Sequence, residues 1–480
     1  MEHQRKLFQQ RGYSEELLPK TQSQRTWKTF NYFTLWMGSV HNVPNYVMVG
    51  GFFILGLSTF SIMLAIILSA FFIAAVMVLN GAAGSKYGVP FAMILRASYG
   101  VRGALFPGLL RGGIAAIMWF GLQCYAGSLA CLILIGKIWP GFLTLGGDFT
   151  LLGLSLPGLI TFLLFWLVNV GIGFGGGKVL NKFTAILNPC IYIVFGGMAI
   201  WAISLVGIGP IFDYIPSGIQ KAENSGFLFL VVINAVVAVW AAPAVSASDF
   251  TQNAHSFREQ ALGLVVAYIL FAVAGVCIIA GASIHYGADT WNVLDIVQRW
   301  DSLFASFFAV LVILMTTIST NATGNIIPAG YQIAAIAPTK LTYKNGVLIA
   351  SIISLLICPW KLMENQDSIY LFLDIIGGML GPVIGVMMAH YFVVMRGQIN
   401  LDELYTAPGD YKYYDNGFNL TAFSVTLVAV ILSLGGKFIP FMEPLSRVSW
   451  FVGVIVAFAA YALLKKRTTA EKTGEQKTIG

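Results

Sequence analysis

Two aromatic side chains and a nearby amide are the groups of this chain best suited to hold a flat polar ring. Trp119 and Gln123 are four positions apart, so a helix places both on one face, one turn apart. Trp240 lies in another apolar segment and could supply a second aromatic plane facing the first. Indole faces stack on rings, and an amide pairs with ring N–H and C=O groups. The structural alternative is an interfacial tryptophan and a glutamine bonded to a neighbouring helix.

The segment 316–325 (TTISTNATGN) is a dense run of hydroxyl and amide side chains in otherwise apolar sequence. Hydroxyl and carbonyl oxygens are hard ligands that suit a small alkali cation, and unwound backbone elsewhere could supply further carbonyls. Ser319 and Thr320 are therefore candidate cation ligands, whereas Asn325 can point elsewhere, toward a substrate. The alternative is that the hydroxyls bond to their own helix or to a neighbouring one.

A few ionisable residues lie inside apolar segments, where such groups are functional candidates by default. His41 could change its charge during function, or it could be a packed neutral ring. Asp374 could carry a proton, or it could be a hydrogen-bonded structural carboxylate. Arg111 lies near the start of its segment, and we expect its side chain to extend toward the lipid headgroups.

The composition explains why charged residues are scarce. Of the 480 residues, 57% are apolar and 10% are charged, whereas a soluble globular protein carries about 25% charged residues. Such a chain cannot cover a water-facing surface, which excludes a soluble enzyme, a nucleic-acid binder and a disordered scaffold. The sequence therefore predicts an all-α polytopic membrane protein in a lipid bilayer, without a nucleic-acid partner or an evident obligate protein partner.

No group of residues in the sequence resembles the site of an enzyme. We find no nucleophile–base pair, no zinc-ligand cluster and no phosphate-binding loop. The five cysteines all fall in apolar stretches without CxxC spacing, so we expect core side chains and not disulfides or metal ligands. The prediction is a protein that is not an enzyme and that binds no cofactor beyond a sodium ion or a proton.

Apolar stretches of about 20 residues, the length that spans a bilayer, recur about twelve times along the chain. They lie at 32–57, 58–80, 104–136, 154–174, 183–207, 226–248, 261–284, 302–329, 345–361, 369–394, 418–436 and 447–464. If all twelve stretches cross the membrane, the two termini lie on the same side. The loops on that side contain most of the Lys and Arg residues. Because basic loops stay in the cytoplasm, both termini are predicted to be cytoplasmic, and the net charge of +7 reflects this topology.

Two of these spans are interrupted by proline. The first contains 39–45 (SVHNVPN) and the sixth contains 240–246 (WAAPAVS). In lipid, such a break survives where it faces protein or a water-filled cavity. If the first ten spans form two units of five, the breaks open each unit in corresponding positions, which is typical of inverted-repeat secondary transporters with a midplane site. The alternative is that each proline is a tolerated kink.

The order and spacing of several motifs make the chain similar to the nucleobase–cation symport family, nearly from end to end. These motifs are 35–42 (LWMGSVHN), 87–91 (YGVPF), 96–100 (RASYG), 118–123 (MWFGLQ), 248–251 (SDFT), 319–321 (STN), 359–364 (PWKLME) and 378–382 (GMLGP). The resemblance implies a leucine-transporter-like fold, with five spans, an inverted copy of five and two more. The corresponding division is an N-terminal tail (1–28), a first repeat (29–208), a second repeat (209–394), two additional spans (395–464) and a C-terminal tail (465–480).

The resemblance also implies roles for individual residues. In the hydantoin-transporting relatives, two tryptophans stack on the ring while a glutamine and an asparagine bond its amide edges. The matching residues here are Trp119, Trp240, Gln123 and Asn325, with a further amide at Asn42. The family's sodium site corresponds to the carbonyls of Gly38, His41 and Thr316 and to the hydroxyls of Ser319 and Thr320. A titratable ring at His41 makes a proton the alternative coupling ion, with Asp374 as a second candidate.

The activity that the resemblance implies is cation-coupled import of a small cyclic urea across the bacterial inner membrane, by alternating access. Allantoin is the substrate that we expect, and a pyrimidine, a purine or a substituted hydantoin is the alternative. Two other classes of membrane protein, a channel and an enzyme, are further alternatives. A channel would neither saturate nor accumulate its solute, and a membrane enzyme would modify it.

Overall fold

The computed structural model describes residues 2–254, 256–287, 289–290, 292–337, 340–363, 366–405 and 416–478. Side chains are described for these residues apart from 16, 177–186, 366–367 and 466–478. Glu364 of the motif at 359–364 lies outside the described residues, as do the last two positions of the predicted C-terminal tail.

The first half of the chain is almost entirely helical. Its helices are α1 (Glu2–Gln10), α2 (Thr29–Val40), α3 (Val43–Phe52), α4 (Thr59–Asn80), α5 (Ala82–Tyr87), α6 (Phe91–Tyr99), α7 (Leu105–Gly108), α8 (Ala116–Ile138), α9 (Leu156–Ile191), α10 (Gly197–Val206) and α11 (Ile208–Asp213). Strands β1 (Thr150–Leu151) and β2 (Leu154–Ser155) pair antiparallel in a short hairpin. The backbone leaves helical geometry at Gly176 inside α9, which separates the predicted fourth and fifth spans.

The second half continues in the same way. Its helices are α12 (Ser225–Val239), α13 (Ala241–Val245), α14 (Ala247–Thr251), α15 (Phe257–Tyr286), α16 (Val293–Gln298), α17 (Leu303–Asn321), α18 (Ile327–Ile336), α19 (Tyr343–Leu356), α20 (Gln366–Ala389), α21 (Leu401–Leu404), α22 (Leu420–Leu434), α23 (Glu443–Ser446) and α24 (Ser449–Thr478). Turns of π-helix at Leu109–Ala115, Tyr192–Gly196, Ala322–Ile326 and His390–Val394 extend neighbouring helices.

Short 3-10 turns complete the secondary structure of the described residues. They lie at Glu15–Leu17, Gln22–Gln24, Phe53–Leu55, Pro140–Thr144, Pro359–Met363, Gly435–Lys437 and Pro440–Met442.

The helices account for the predicted membrane spans. Among the described residues, eight are long and apolar enough to cross a bilayer. The shorter apolar helices Val43–Leu55, Ser225–Val239 and Tyr343–Leu356 fall where the first, sixth and ninth spans are predicted. A pair bent by 86°, Pro440–Ser446 with Ser449–Lys465, occupies the twelfth position. The prediction of an all-α protein with about twelve spans is therefore confirmed.

Side-chain amides form the break in the first span, between α2 and α3. Asn42 caps α3 by accepting a hydrogen bond from the Asn45 backbone N–H (3.1 Å), and its own Nδ2 donates to the Ser39 carbonyl (2.6 Å). Asn45 Nδ2 donates to the carbonyl of Val40 over 2.8 Å. Pro44 lies in the first turn of α3, where its missing N–H costs nothing. These bonds replace those that the interrupted helix loses.

The break in the sixth span lies at Trp240, between α12 and α13. Its backbone leaves helical geometry there and again at Ser246. Asn80 of α4 donates from Nδ2 to the carbonyls of Ala244 (2.8 Å) and Val245 (2.9 Å). A neighbouring span therefore satisfies the polar backbone that the break exposes, as the absence of water in lipid requires.

Glycines bring the supporting helices into backbone contact. A Cβ added at Gly385 of α20 would lie 2.5 Å from the carbonyl oxygen of Val454 in α24. A Cβ at Gly263 of α15 would lie 2.6 Å from the backbone nitrogen of Phe33 in α2. Small residues permit this close approach of helices in lipid, so the broken first span has a rigid support.

The polar N-terminal segment, predicted as a tail, packs against the helical body. Phe8 of α1 is fully buried and stacks on Tyr405, with 4.1 Å between ring centroids. The Tyr405 hydroxyl donates to the carbonyl of Leu17, and Arg25 donates to the Ser85 carbonyl over 2.7 Å. The boundary of this segment at residue 28 stays a prediction.

Candidate functional site

The two helix breaks open onto one cavity of about 50 Å³. Its walls include all five residues predicted to bind substrate, namely Trp119, Gln123, Trp240, Asn325 and Asn42. They come from spans that are far apart in sequence, so the fold alone brings them together. The free volume is that of a few water molecules, and a ring-sized ligand requires the surrounding side chains to move apart.

Edge-to-face contacts fix the orientation of the indole rings. Trp119 packs at 69° against Phe372, with centroids 4.9 Å apart. Trp240 packs at 68° against Trp36 (4.9 Å) and at 66° against Tyr268 (5.3 Å). This geometry matches the charge distribution of aromatic rings. Each of the two predicted stacking residues is thus packed against aromatic rings of neighbouring spans.

Several polar atoms of the cavity residues are buried without a partner. Among the described residues, these atoms are Nε1 of Trp36, Trp119 and Trp240, Oε1 of Gln123 and Oγ1 of Thr323. A buried polar group without a hydrogen bond costs about 1–3 kcal/mol. Three donors, one acceptor and one hydroxyl around a single small cavity therefore suit a ligand rich in both C=O and N–H groups.

The side-chain amides of the two cavity asparagines make different hydrogen bonds. Both ends of the Asn42 amide serve the helix break described above. Asn325 lies in the π-helical turn Ala322–Ile326, and its Nδ2 donates to Oδ1 of Asn321 over 2.9 Å. Asn321 is itself anchored to Oδ1 of Asn169 (3.1 Å). The fourth and eighth spans thereby orient Asn325.

The predicted cation ligands lie where the first and eighth spans meet. Thr320 Oγ1 is 3.2 Å from the carbonyl oxygen of Gly38 and 2.9 Å from that of Thr316. Ser319 Oγ is buried and has no hydrogen-bond partner among the residues that the structure describes, and a Cβ on Gly38 would lie 3.0 Å from it. This cluster of hard oxygens fits an alkali cation. Within the part of the chain that the structure describes, no group of three His, Cys, Asp or Glu side chains could hold a metal.

The two ionisable candidates lie away from the cavity walls. His41 follows the end of α2, and its ring is buried, with Nδ1 2.9 Å from the Tyr46 hydroxyl. The same ring stacks on Phe195 at 4.6 Å, so only its backbone belongs to the break. Asp374 pairs with Lys437, whose Nζ is 2.6 Å from Oδ2. The structure therefore does not bring the Asp374 carboxylate to the cavity.

Arg111 does not extend toward lipid headgroups, and this expectation was wrong. Its side chain is 0% exposed. Nε donates to Oγ of Ser246 (3.1 Å) and Nη2 donates to the carbonyl of Gly324 (2.9 Å). Asp249 provides a nearby negative charge. These partners hold the guanidinium inward because a buried charge requires compensation.

Among the cavity residues without a predicted role, Trp36 and Thr323 each have an unpartnered buried polar atom among the described residues. Trp36 belongs to the motif at 35–42 but received no role of its own. Its position one turn before the break at 39–45 is a signal that could have found it, because Trp36 and Ser39 are three positions apart and lie on the same face of the helix. Thr323 lies between Thr320 and Asn325, where the π-helical turn alters which side chains point inward.

The chain matches the family model described as "Permease for cytosine/purines, uracil, thiamine, allantoin" over residues 19–453. It is 98% identical over 484 residues to the Escherichia coli K12 protein called "Putative allantoin permease", with 100% of both chains covered. It is 38% identical over 458 residues to the allantoin permease of Bacillus subtilis 168, covering 94% of this chain and 93% of that one.

Solved structures share the fold. Mhp1, a nucleobase-cation-symport-1 family transporter in a closed conformation with bromovinylhydantoin bound, superposes with a TM-score of 0.75 and 23% identity, covering 96% of each chain. A Na⁺-coupled sialic acid symporter superposes with a TM-score of 0.52 and 15% identity, covering 91% of this chain and 96% of that one.

These similarities establish the fold and the general function of the protein. The likeness to these transporters confirms the predicted leucine-transporter-like architecture. The match to a permease model confirms that the chain is a multi-pass membrane transporter and not an enzyme. The chain belongs to the family of permeases for cytosine and purines, uracil, thiamine and allantoin.

Proposed function

We propose that this protein imports allantoin across the bacterial inner membrane, driven by a coupled cation, with both termini in the cytoplasm. The observation that carries the proposal is the cavity at the two helix breaks, where three indole N–H groups and the amide oxygen of Gln123 are buried without partners among the described residues. The names of the relatives from Escherichia coli and Bacillus subtilis support the choice of allantoin.

The chemistry of the cavity suits a cyclic urea. A hydantoin ring is flat and presents two N–H groups and two carbonyls at its edges. Trp119 and Trp240 would stack on its faces, and each contact contributes about 0.5–1.5 kcal/mol beyond the area that it buries. Gln123 and Asn325 would form hydrogen bonds with the edges of the ring. Asn42 would contact the ligand from the first span.

The cation would bind between the first and eighth spans. The carbonyls of Gly38, His41 and Thr316 and the hydroxyls of Ser319 and Thr320 form the proposed ligand set. Sodium suits these oxygens by size and hardness, and the related sialic acid symporter is Na⁺-coupled. A proton carried by His41 or Asp374 is the alternative coupling ion.

The helix breaks suit transport by alternating access. Sites of this kind lie at the interface of two repeats, and one bundle of helices rocks against the other around the site. We place the repeats at 29–208 and 209–394, with the two further spans at 395–464 outside them. Substrate and cation would shift the population between the two arrangements by binding one of them more tightly.

Uptake of radiolabelled allantoin into vesicles that contain the protein tests the proposal, with and without a sodium gradient and at two external pH values. We expect saturable accumulation that follows the sodium gradient. Accumulation that ignores sodium and follows the proton gradient would favour His41 or Asp374 as coupling groups. The absence of uptake by protein present in the membrane would reject allantoin.

The alternative substrates are a pyrimidine, a purine or a substituted hydantoin, since the family description includes cytosine, purines and uracil. Competition against labelled allantoin uptake separates them, because the true substrate competes at the lowest concentration. Recovery of unmodified allantoin inside the vesicles distinguishes transport from an enzymatic reaction, and saturation distinguishes it from a channel.

A further inference from the structure

Two cavity residues have no role in the binding of the ring as proposed above. Trp36 and Thr323 both line the cavity, and each buries a polar atom without a partner among the described residues, Nε1 and Oγ1 respectively. The ring edges are already matched by Gln123 and Asn325. Trp119 and Trp240 would present their ring faces to the ligand, whereas the Nε1 donor of Trp36 and the Thr323 hydroxyl have no such role. These two groups would stay unsatisfied beside a ring that carried no polar substituent.

Trp36 is held firmly in this position. Its ring is 1% exposed and contacts Trp240 at 4.9 Å and Phe250 at 5.0 Å, at interplanar angles of 68° and 59°. An indole N–H can only donate a hydrogen bond. A ligand that satisfies Trp36 must therefore present an acceptor oxygen on this side of the cavity.

Thr323 lies in the wall between two cavities. Thr323 and Phe250 line both the small cavity and a second one of about 460 Å³, on the side of the N-terminal segment. The hydroxyl of Thr323 can donate or accept. Phe250, which contacts the Trp36 ring, and Thr323 therefore both lie at the boundary between the two cavities.

We propose that Trp36 and Thr323 bind a polar carboxamide-like or ureido substituent of the ring and thereby select substrates that carry one. The substituent carbonyl would accept from Nε1 of Trp36, and its N–H would donate to Oγ1 of Thr323. An apolar substituent would leave both groups buried and unpaired, which costs affinity. The inference rests on the proposed function, because it assumes that a cyclic urea occupies the cavity.

The experiment is competition of labelled allantoin uptake by allantoin, which carries a ureido group, and by unsubstituted hydantoin and 5-methylhydantoin. We expect the wild type to favour allantoin over both by about five- to a hundred-fold. Trp36→Phe keeps a ring against Trp240 and Phe250 but removes the donor. Thr323→Val keeps the shape but removes the hydroxyl. Each variant should reduce the preference toward two-fold, because allantoin loses a partner that the other two compounds never had.

The matched control is Trp450→Phe. Trp450 Nε1 is also buried without a partner in the described part of the chain, but the residue is not among those that line the cavity. Its variant should keep the wild-type preference. A preference unchanged in Trp36→Phe and Thr323→Val, measured by uptake or by binding to purified protein, would overturn the inference while leaving allantoin transport intact. Failure of the wild type to bind or transport any of the three compounds would instead reject the proposed function.

Discussion

The guanidinium of Arg111 donates a hydrogen bond from Nη2 to the carbonyl oxygen of Gly324, over 2.9 Å. Gly324 lies in the π-helical turn of the eighth span and lines the cavity. Nε of the same group donates a hydrogen bond to Ser246, the last residue of the break at 240–246 in the sixth span. One buried side chain of the third span therefore joins the two elements that shape the cavity.

Replacing Arg111 by Lys should lower allantoin uptake at least about tenfold. A lysine ammonium cannot span the two acceptors that the planar guanidinium reaches, and each lost bond to a charged group is worth about 1.5–3 kcal/mol. Uptake normalised to the amount of protein in the membrane measures the effect. Arg102→Lys, at an exposed position, is the control and should keep normal uptake. Equal activity of both variants would contradict this role for Arg111.

The residues that line the cavity could be predicted from the sequence more successfully than the residues that stabilise its shape. Trp119 and Gln123 follow from helical periodicity, and the breaks at 39–45 and 240–246 follow from proline in apolar segments. The position of Arg111 depends on Ser246, which is 135 residues away. Local hydropathy carries no information about such a partner, so headgroup contact was the natural expectation.

Local composition was also misleading at the N-terminus. The segment before residue 28 is polar enough to suggest a free tail, yet Phe8 and Leu18 are buried in the core. Isolated apolar residues in a polar segment give no periodic signal. The ring that covers Phe8 belongs to Tyr405, which lies far away in the sequence.

Replacing Gln123 by Leu should reduce allantoin uptake by about five- to a hundred-fold, because the ligand's amide edge would lose its partner. Gln260→Leu is a closely matched control. Gln260 is equally buried, and its amide also has no partner among the described residues, but it is not among the residues that line the cavity. Uptake should stay within two-fold of the wild type in this control. Similar losses in both variants would indicate general damage to the fold and not recognition.

Replacing Ser319 by Ala should raise the sodium concentration for half-maximal uptake about tenfold. The change removes a buried oxygen from the proposed cation site, and an interaction with a charged group is worth about 1.5–3 kcal/mol. Thr317→Val is the control, since the Thr317 hydroxyl is already bonded to the carbonyl of Ile313 in its own helix (2.7 Å). An unchanged sodium dependence in the Ser319 variant would argue against this cation site.

The pairing of Asp374 with Lys437 predicts that the carboxylate stabilises the bundle without carrying the coupling proton. Lys437 Nζ donates to Asp374 Oδ2 (2.6 Å), and Ser449 of α24 donates to the Asp374 carbonyl (3.1 Å). Asp374→Asn should therefore lower the melting temperature while leaving uptake and its pH dependence within two-fold of the wild type.

A double-mutant cycle tests whether the pair itself is responsible. Asp374→Asn and Lys437→Met should each destabilise the protein, and the double variant should be more stable than the sum of the two losses predicts, because an ion pair's coupling energy is lost only once. A partly exposed pair should contribute about 1 kcal/mol or less. Loss of proton-driven uptake in Asp374→Asn at unchanged stability would instead identify this carboxylate as the coupling group, since a structural pair cannot produce that combination.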